Sequence, residues 1–235
     1  MAMITLTIDG RTIQARKGAT ILEAARHVDI KIPTLCYLKD INAVSVCRVC
    51  VVEVEGEEAL KASCVTPVAE GMVVYTQSKA VRRSRRTTVE LILSNHPYAC
   101  PTCVRDKNCE LQDLVRELDL DMYHTVYARP DFPFGGAMSA NPPDTSGDFL
   151  VFDPAKCVLC LRCVAACREK SVNALTVKKK SFHAVIGPIG ADSLAESNCV
   201  MCGQCVDACP TGALVLRDEL ERHDHNLTLS RRMKP

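Results

Sequence analysis

The stretch CVMCGQCVDACP, residues 199–210, decides the fold of the C-terminal part of this 235-residue chain. Its first three cysteines, Cys199, Cys202 and Cys205, recur at every third position, and Cys209 comes directly before Pro210. A loop with this spacing wraps three corners of a [4Fe–4S] cubane, while the fourth cysteine leaves on a helix and ligates a neighbouring cluster. A second run of the same kind is therefore expected in the chain.

The partner run is CVLCLRCVAACR, residues 157–168. We assign two cubanes by exchanging the fourth cysteines between the runs. The first takes Cys157, Cys160, Cys163 and Cys209, and the second takes Cys167, Cys199, Cys202 and Cys205. Arg168 replaces the proline that usually follows the fourth cysteine, which makes that turn less predictable. Structural zinc sites use separated cysteine pairs, so a triple run that occurs twice fits zinc poorly.

A third set of cysteines lies near the N-terminus and consists of Cys36, Cys47, Cys50 and Cys64. Four thiolates around a small sheet suit a [2Fe–2S] centre, although the spacing is longer than the plant-type C-x4-C-x2-C pattern. The spacing by itself therefore leaves a four-cysteine zinc site as an alternative.

The segment SNHPYACPTCVRDKNCELQ, residues 94–112, contains the remaining three cysteines, Cys100, Cys103 and Cys109. They are one ligand short of a cluster, and His96 lies four residues before the first of them. A lone histidine is usually an ordinary core or surface residue. Here, however, the 15 cysteines and this histidine together make four complete sets of four. We therefore predict that His96 completes the fourth set.

Hydrophobic periodicity predicts a small α+β domain over residues 1–78. Strands at 4–8 and 12–15 flank Asp9 and Gly10, a strong signal for a two-residue hairpin. A helix should follow, with Thr20 and Glu23 spaced as a capping box. Further strands are predicted at 49–54, 59–64 and 72–75.

The rest of the chain divides into four further segments. Residues 79–126 should contain helices at 80–94 and 110–120, and residues 127–148 form an irregular, proline-rich connector. Residues 149–216 carry the duplicated cysteine runs, and residues 217–235 form a polar, helical tail, either docked on a partner or frayed. The arginines of the first helix are expected on a solvated or subunit-facing surface; they are Arg82, Arg83, Arg85 and Arg86.

Composition limits the possible partners and compartment. The net charge of +1 creates no strong field for nucleic acid or acidic lipid. No apolar run approaches the roughly 18 to 20 residues needed to span a bilayer, and the N-terminus does not resemble a secretory signal. We therefore expect a cytoplasmic protein whose cysteines stay reduced unless a metal or a catalytic cycle uses them.

The four ligand sets, taken in order over residues 3–216, resemble the N-terminal electron-transfer region of [FeFe]-hydrogenases and the iron–sulfur part of the large peripheral-arm subunit of respiratory complex I. The resemblance implies an N-terminal β-grasp [2Fe–2S] ferredoxin-like domain, a helical segment with a histidine-plus-three-cysteine cluster, and a C-terminal domain like bacterial two-[4Fe–4S] ferredoxins. It implies one [2Fe–2S] cluster and three [4Fe–4S] clusters, one of them ligated by His96. It also lowers the weight of the zinc alternative at the first site.

Two departures from the family pattern stand out. Ser45 and Val46 precede Cys47 where the family usually has glycine two residues before that cysteine, so the backbone approach to the cluster can differ. The sequence also ends at Pro235 without a hydrogen-activating or molybdopterin-like domain. We therefore expect a small subunit of an NAD(P)-linked hydrogenase, formate dehydrogenase or electron-bifurcating transhydrogenase complex. The implied partners are a flavin- and NAD(P)-binding subunit, a small [2Fe–2S] subunit, and a further redox subunit or soluble ferredoxin.

The sequence contains no motif for chemistry of its own. No G-x-G-x-x-G follows a strand, no P-loop occurs, and no nucleophile has a paired base. We therefore predict an electron-transfer subunit without catalytic residues. Two alternatives remain at this point: a zinc-stabilised assembly scaffold without a redox role, and a stand-alone reductase.

Overall fold

A computed structural model describes residues 2–97, 99–122, 142–180 and 183–232. The chain folds into two compact units, one of residues 1–90 and 114–120 and the other of residues 91–113 and 121–235. This division into two units does not test the boundaries of the five segments, which stay predictions. Of the predicted connector 127–148, residues 127–141 lie outside the described part of the chain.

The first unit is built on a mixed five-stranded sheet with the order β2-β1-β5-β3-β4. Strands β1 and β5 run parallel, and every other neighbouring pair is antiparallel. The strands are β1 (Met3–Ile8), β2 (Arg11–Arg16), β3 (Val51–Val54), β4 (Lys61–Ala62) and β5 (Val73–Tyr75). The predicted hairpin is confirmed, and Asp9 and Gly10 both have the positive φ that a tight two-residue turn requires.

Helix α1 (Ile21–His27) follows the hairpin and contributes buried side chains to the core of the first unit. The predicted capping box is present at its start. The Thr20 hydroxyl accepts a hydrogen bond from the Glu23 backbone N–H, and the Glu23 carboxylate accepts one from the Thr20 N–H at 2.7 Å. These two bonds satisfy N–H groups that would otherwise have no partner in the helix.

Helices α2 (Lys79–Leu93) and α3 (Glu110–Glu117) lie where the periodicity predicted them. Val81, Val89 and Leu93 are buried on α2, and Leu111, Leu114 and Val115 are buried on α3. The Arg86 side chain donates hydrogen bonds to the backbone carbonyls of Leu118 and Asp119 just beyond the end of α3.

The prediction for the arginines of α2 was wrong at one position. Arg82, Arg83 and Arg86 are exposed, but Arg85 is only 1% exposed and is the largest fully buried side chain among the described residues. Arg85 is as completely buried as Val81 and Val89, so it belongs to the inner face of the helix.

The second unit contains an internal repeat of strand, cysteine loop, helix and strand. One half comprises β6 (Leu150–Phe152), α4 (Arg162–Glu169) and β7 (Leu175–Lys178); the other comprises β8 (Val185–Pro188), α5 (Gln204–Ala208) and β9 (Leu214–Leu216). Strand β6 pairs with β9, and β7 pairs with β8, both antiparallel. The first strand of one half thus meets the last strand of the other, which brings the two cysteine loops into one domain.

The core of the second unit includes cysteines as well as aliphatic side chains. Leu150, Leu175 and Leu214 pack in the same cluster as Cys163, Cys167 and Cys205. Helix α6 (Arg217–Arg232) follows β9 as the predicted helical tail, and the Arg217 side chain donates to the Gly147 carbonyl at 2.8 Å. Within the ranges that the structure describes, no helix is long and apolar enough to cross a membrane.

Candidate metal centres

Four predicted ligands line one cavity of the second unit: Cys157, Cys160, Cys163 and Cys209. The remaining walls are mostly apolar and include Phe152, Ile186 and Leu214. Burial raises the pKa of Cys157 to about 11 and that of Cys160 to about 12. Thiols in such surroundings become thiolates only beside a cation, and thiolate is the form that binds metal.

A second cavity is lined by the other predicted set: Cys167, Cys199, Cys202 and Cys205. Leu150, Leu175 and Leu194 complete its apolar wall. Burial raises the pKa of Cys205 to about 12, whereas Cys202 is exposed. The structure thus brings each run of three cysteines together with the fourth cysteine of the other run.

The two cysteine loops share the same backbone geometry. Leu159 and Leu161 have positive φ in the first loop, and Met201 and Gly203 have positive φ at the corresponding positions of the second. The N–H groups of Leu159 and Met201 each donate to the sulfur of the cysteine two residues earlier at 3.4 Å. A left-handed conformation costs a non-glycine residue about 1 to 2 kcal/mol, so its persistence at matched positions indicates a functional constraint.

A third cavity in the second unit is lined by His96, Cys100, Cys103 and Cys109. The His96 Nδ1 atom is buried, and the described residues offer it no hydrogen-bond partner. Burial, followed by the charge of Lys156, lowers the pKa of His96 to about 4. The imidazole is therefore neutral near pH 7, which is the form that ligates metals.

The wall of the histidine cavity lies close to the backbone that follows Cys209. A Cβ atom added to Gly212 would lie 2.9 Å from the Cys103 sulfur, which is too close for a side chain. The Glu110 N–H, directly after Cys109, donates to the Pro210 carbonyl at 3.0 Å. Cys103 and Cys109 are thereby packed against the segment that presents Cys209.

An ion pair links the same two regions. The guanidinium of Arg162, between Cys160 and Cys163, donates two hydrogen bonds to the Glu110 carboxylate at 2.6 and 2.8 Å. Arg162 is 5% exposed, so the pair is partly shielded from water. This pair was not predicted from the sequence. The one sequence feature that points to it is that Glu110 and Arg162 are each adjacent to a predicted cysteine ligand.

The N-terminal set forms two close pairs in the first unit. Cys50 and Cys64 have their sulfur atoms 3.3 Å apart, and Cys36 and Cys47 are hydrogen-bonded to each other. Proton sharing within the pairs lowers the pKa of Cys47 and that of Cys50 to about 6. Two pairs of thiols suit a two-iron core in which each iron takes two thiolates.

Hydrogen bonds position the loops of this set. The Asn42 amide donates to the Cys36 carbonyl at 2.7 Å, and the Ser63 hydroxyl donates to the Cys50 carbonyl at 2.7 Å. Ser45, which replaces the usual glycine, has a φ of 50°. The chain therefore adopts with serine the left-handed conformation that glycine favours.

Comparison with known families agrees with these sites. Residues 1–79 match the 2Fe-2S iron-sulfur cluster binding domain, residues 85–123 match the NADH-ubiquinone oxidoreductase-G iron-sulfur binding region, and residues 156–213 match the 4Fe-4S dicluster domain. The chain carries iron–sulfur domains. These matches cover both cysteine-rich ends and the histidine-containing segment between them.

Curated relatives extend the likeness over most of the chain. The NADP-reducing hydrogenase subunit HndD of Solidesulfovibrio fructosivorans is 44% identical over 92% of this chain and 36% of its own length. The NADPH-Fe(3+) oxidoreductase subunit alpha of Geobacter sulfurreducens is 37% identical over 91% of the chain and 24% of its length. The NADH-ubiquinone oxidoreductase 75 kDa subunit of Reclinomonas americana is 33% identical over 90% of this chain and 29% of its own length. The chain thus spans about a third or less of these relatives.

A solved structure supports the same architecture. A chain of an NAD+-reducing [NiFe]-hydrogenase in the H2-reduced state superposes with a TM-score of 0.82 and 29% identity. The match covers 92% of this chain and 88% of that one. The fold is therefore shared with a chain of comparable extent.

We predict that Gly212→Ala disturbs the histidine-containing site and leaves the other three sites intact. The added Cβ would press on the Cys103 sulfur, so the signal of that site should broaden, shift or be lost while the other three remain. Low-temperature electron paramagnetic resonance of anaerobically reduced protein measures this. Gly190→Ala is the control, because its φ is 67° but its Cβ would meet nothing within 4 Å. An unchanged spectrum for Gly212→Ala would contradict the close approach.

Proposed function

We propose that this chain transfers electrons within a multi-subunit NAD(P)-linked oxidoreductase, between a flavin- and NAD(P)-binding partner and a second redox partner. The observation that carries the proposal is that each of three cavities is lined by one complete set of predicted ligands. The named functions of the relatives support the NAD(P) linkage.

The donor sets fit one [2Fe–2S] cluster and three [4Fe–4S] clusters. Cys36, Cys47, Cys50 and Cys64 would hold the first, and His96 with Cys100, Cys103 and Cys109 would hold the second. The two C-terminal cubanes would take Cys157, Cys160, Cys163 and Cys209, and Cys167, Cys199, Cys202 and Cys205. Such clusters, when bound, supply carriers of single electrons whose potentials depend on ligand charge, hydrogen bonds and burial.

The protein groups around each site would set its potential. The N–H groups of Leu159 and Met201 stabilise negative charge on the cysteine sulfurs that they contact. Apolar walls such as Phe152 and Leu150 keep water away from the sites. His96 supplies a neutral ligand where the other sets supply only thiolates, which favours the reduced state of its site.

Contacts within the second unit favour electron exchange between the histidine-containing site and the Cys209-containing site. Gly212 allows the Cys103 sulfur to approach the backbone three residues after Cys209, and Glu110 pairs with Arg162 between two ligands of that site. Short separations favour electron exchange, so this packing makes the two sites neighbours along the proposed path.

The finer assignment follows the resemblance to known electron-transfer subunits. We infer a β-grasp ferredoxin-like fold for the first unit and a bacterial two-cluster ferredoxin-like fold for the duplicated part of the second. A small [2Fe–2S] subunit and a further redox subunit or soluble ferredoxin would be partners. Transhydrogenase, hydrogenase and formate dehydrogenase complexes, including electron-bifurcating ones, would use such a chain. We place the chain in the cytoplasm, where cysteines stay reduced unless a metal or a catalytic cycle uses them.

Metal content separates this proposal from a zinc-stabilised scaffold. Protein purified without oxygen should contain about 14 iron and about 14 sulfide atoms per chain, counted from one [2Fe–2S] and three [4Fe–4S] clusters. Elemental and sulfide analysis measures both quantities. About four zinc atoms per chain and no visible absorption would support the scaffold instead.

Reduction through a flavoprotein tests the electron-transfer role directly. We expect NADH or NADPH to reduce the iron–sulfur centres of the isolated chain only when the flavin-containing partner that copurifies from the native host is added back. Absorbance bleaching and paramagnetic signals report the reduction. Dithionite is the positive control for the isolated chain, and failure of the complete complex to respond to either nucleotide would contradict the proposal.

The ligand role of His96 has its own test. His96→Cys adds a negative charge to the site, so its reduction potential should fall while the other three stay unchanged. Redox titration followed by electron paramagnetic resonance measures the potentials, and the control is His27→Gln, which changes an exposed histidine of α1. An unchanged potential in His96→Cys would show that the imidazole does not ligate the site.

A further inference from the structure

Arg85 is a charged side chain in the interior of the first unit. It lies on helix α2 with 1% of its surface exposed, whereas Arg82 and Arg83 on the same helix are exposed. A guanidinium remains protonated in proteins, so the interior contains a full positive charge. Burying such a charge is strongly unfavourable unless an opposite charge compensates it.

The protein groups described around Arg85 do not supply that compensation. Its Nη2 donates to the Val51 backbone carbonyl at 2.7 Å, which is a neutral acceptor. Its Nε is buried, and among the described residues it has no hydrogen-bond partner. No carboxylate of the described residues forms an ion pair with it.

The location of Arg85 indicates which group could supply the negative charge that compensates its guanidinium. Its acceptor, Val51, directly follows Cys50, and Cys50 forms the close sulfur pair with Cys64. Burial lowers the pKa of Arg85, and the charge of Cys50 is the largest effect in the opposite direction, ahead of Glu117 and Asp9. The Arg85 guanidinium thus lies against the backbone that directly follows Cys50, a predicted ligand of the N-terminal site.

We propose that Arg85 is the buried counter-charge of the [2Fe–2S] centre at Cys36, Cys47, Cys50 and Cys64, and that it raises the reduction potential of that centre. The inference rests on the proposed cluster at this site. An iron–sulfur core with four thiolates is anionic and gains a further negative charge on reduction. A fixed positive charge in a partly desolvated interior stabilises the reduced state more than the oxidised state. Arg85 thus acts as a positioning and tuning residue rather than as a ligand.

A purely structural role for Arg85 makes a different prediction. In that case the guanidinium would serve only to donate to the Val51 carbonyl and to fill space beside β3. Loss of the side chain would then reduce stability or cluster retention, and the potential of clusters that do assemble would not change. The charge and the hydrogen bond can be separated by substitution.

The test uses three variants of the full chain in its native complex. Arg85→Met removes the charge and the donor at similar length, Arg85→Gln removes the charge and keeps a donor, and Arg85→Lys keeps the charge. The potential of the [2Fe–2S] signal is measured by redox titration with electron paramagnetic resonance. Arg82→Met is the matched control, because it removes an exposed arginine from the same helix.

We expect the one-electron reduction equilibrium of the [2Fe–2S] centre to weaken about tenfold in the two neutral variants, which corresponds to about 59 mV toward negative potential. Arg85→Lys should remain near wild type, and the three other centres and the Arg82→Met control should not move. If the neutral variants lose only the [2Fe–2S] signal while Arg85→Lys keeps it, the requirement for the charge is also supported.

Two results would overturn the role of Arg85. One is an unchanged potential in neutral variants that keep the [2Fe–2S] signal. The other is loss of the signal in Arg85→Lys together with both neutral variants, because the geometry of the guanidinium and not its charge would then be required. Absence of any [2Fe–2S] signal in the wild-type protein would instead refute the proposed function, so the two failures are distinguishable.

Discussion

The cost of burying ionisable sulfur is the constraint on which the rest of this structure depends. Burial raises the pKa of Cys160 and Cys205 well above that of a free thiol, yet both side chains lie inside the core instead of at its surface. The aliphatic cluster of the second unit is built around such cysteines, and aromatic residues make up only 4% of the chain. Thiolate binding to a cationic iron–sulfur core would offset the free-energy cost of burying these cysteines. Folding of this unit and cluster binding are therefore expected to be coupled.

Charge placement around the sites follows from the same constraint. Although the net charge is only +1, two guanidiniums are buried: that of Arg85 beside Val51, which follows Cys50, and that of Arg162 between Cys160 and Cys163. The charge of Arg162 is paired with the Glu110 carboxylate. The only hydrogen-bond acceptor of Arg85 among the described groups is a backbone carbonyl. His96 contributes a neutral nitrogen where a thiolate would add charge. The three arrangements would give the sites different potentials although the ligand sets are alike.

Much of the fold was predictable because its signals are local. The hairpin at Asp9 and Gly10, the capping box at Thr20 and the helices α2 and α3 depend on residues within one or two turns of each other. The strand predicted at 59–64 is reduced to Lys61–Ala62, since its length depends on pairing with β3 and not on its own pattern. Arg85 was misplaced because four arginines within five positions suggest a solvated surface, and only the packing of the first unit shows which one faces inward.

The sequence by itself determined the hairpin, the capping box and the runs of closely spaced cysteines. From those runs it predicts four ligand sets, because cysteine spacing within a loop limits which corners of a cluster that loop can reach. The tertiary structure decided what surrounds them: the pairing of Cys50 with Cys64, the approach of Gly212 to Cys103, and the burial of Arg85 beside Val51. These contacts join residues far apart in the chain, so no local pattern encodes them. They depend on how the elements pack, and that packing places the charges that would tune electron transfer.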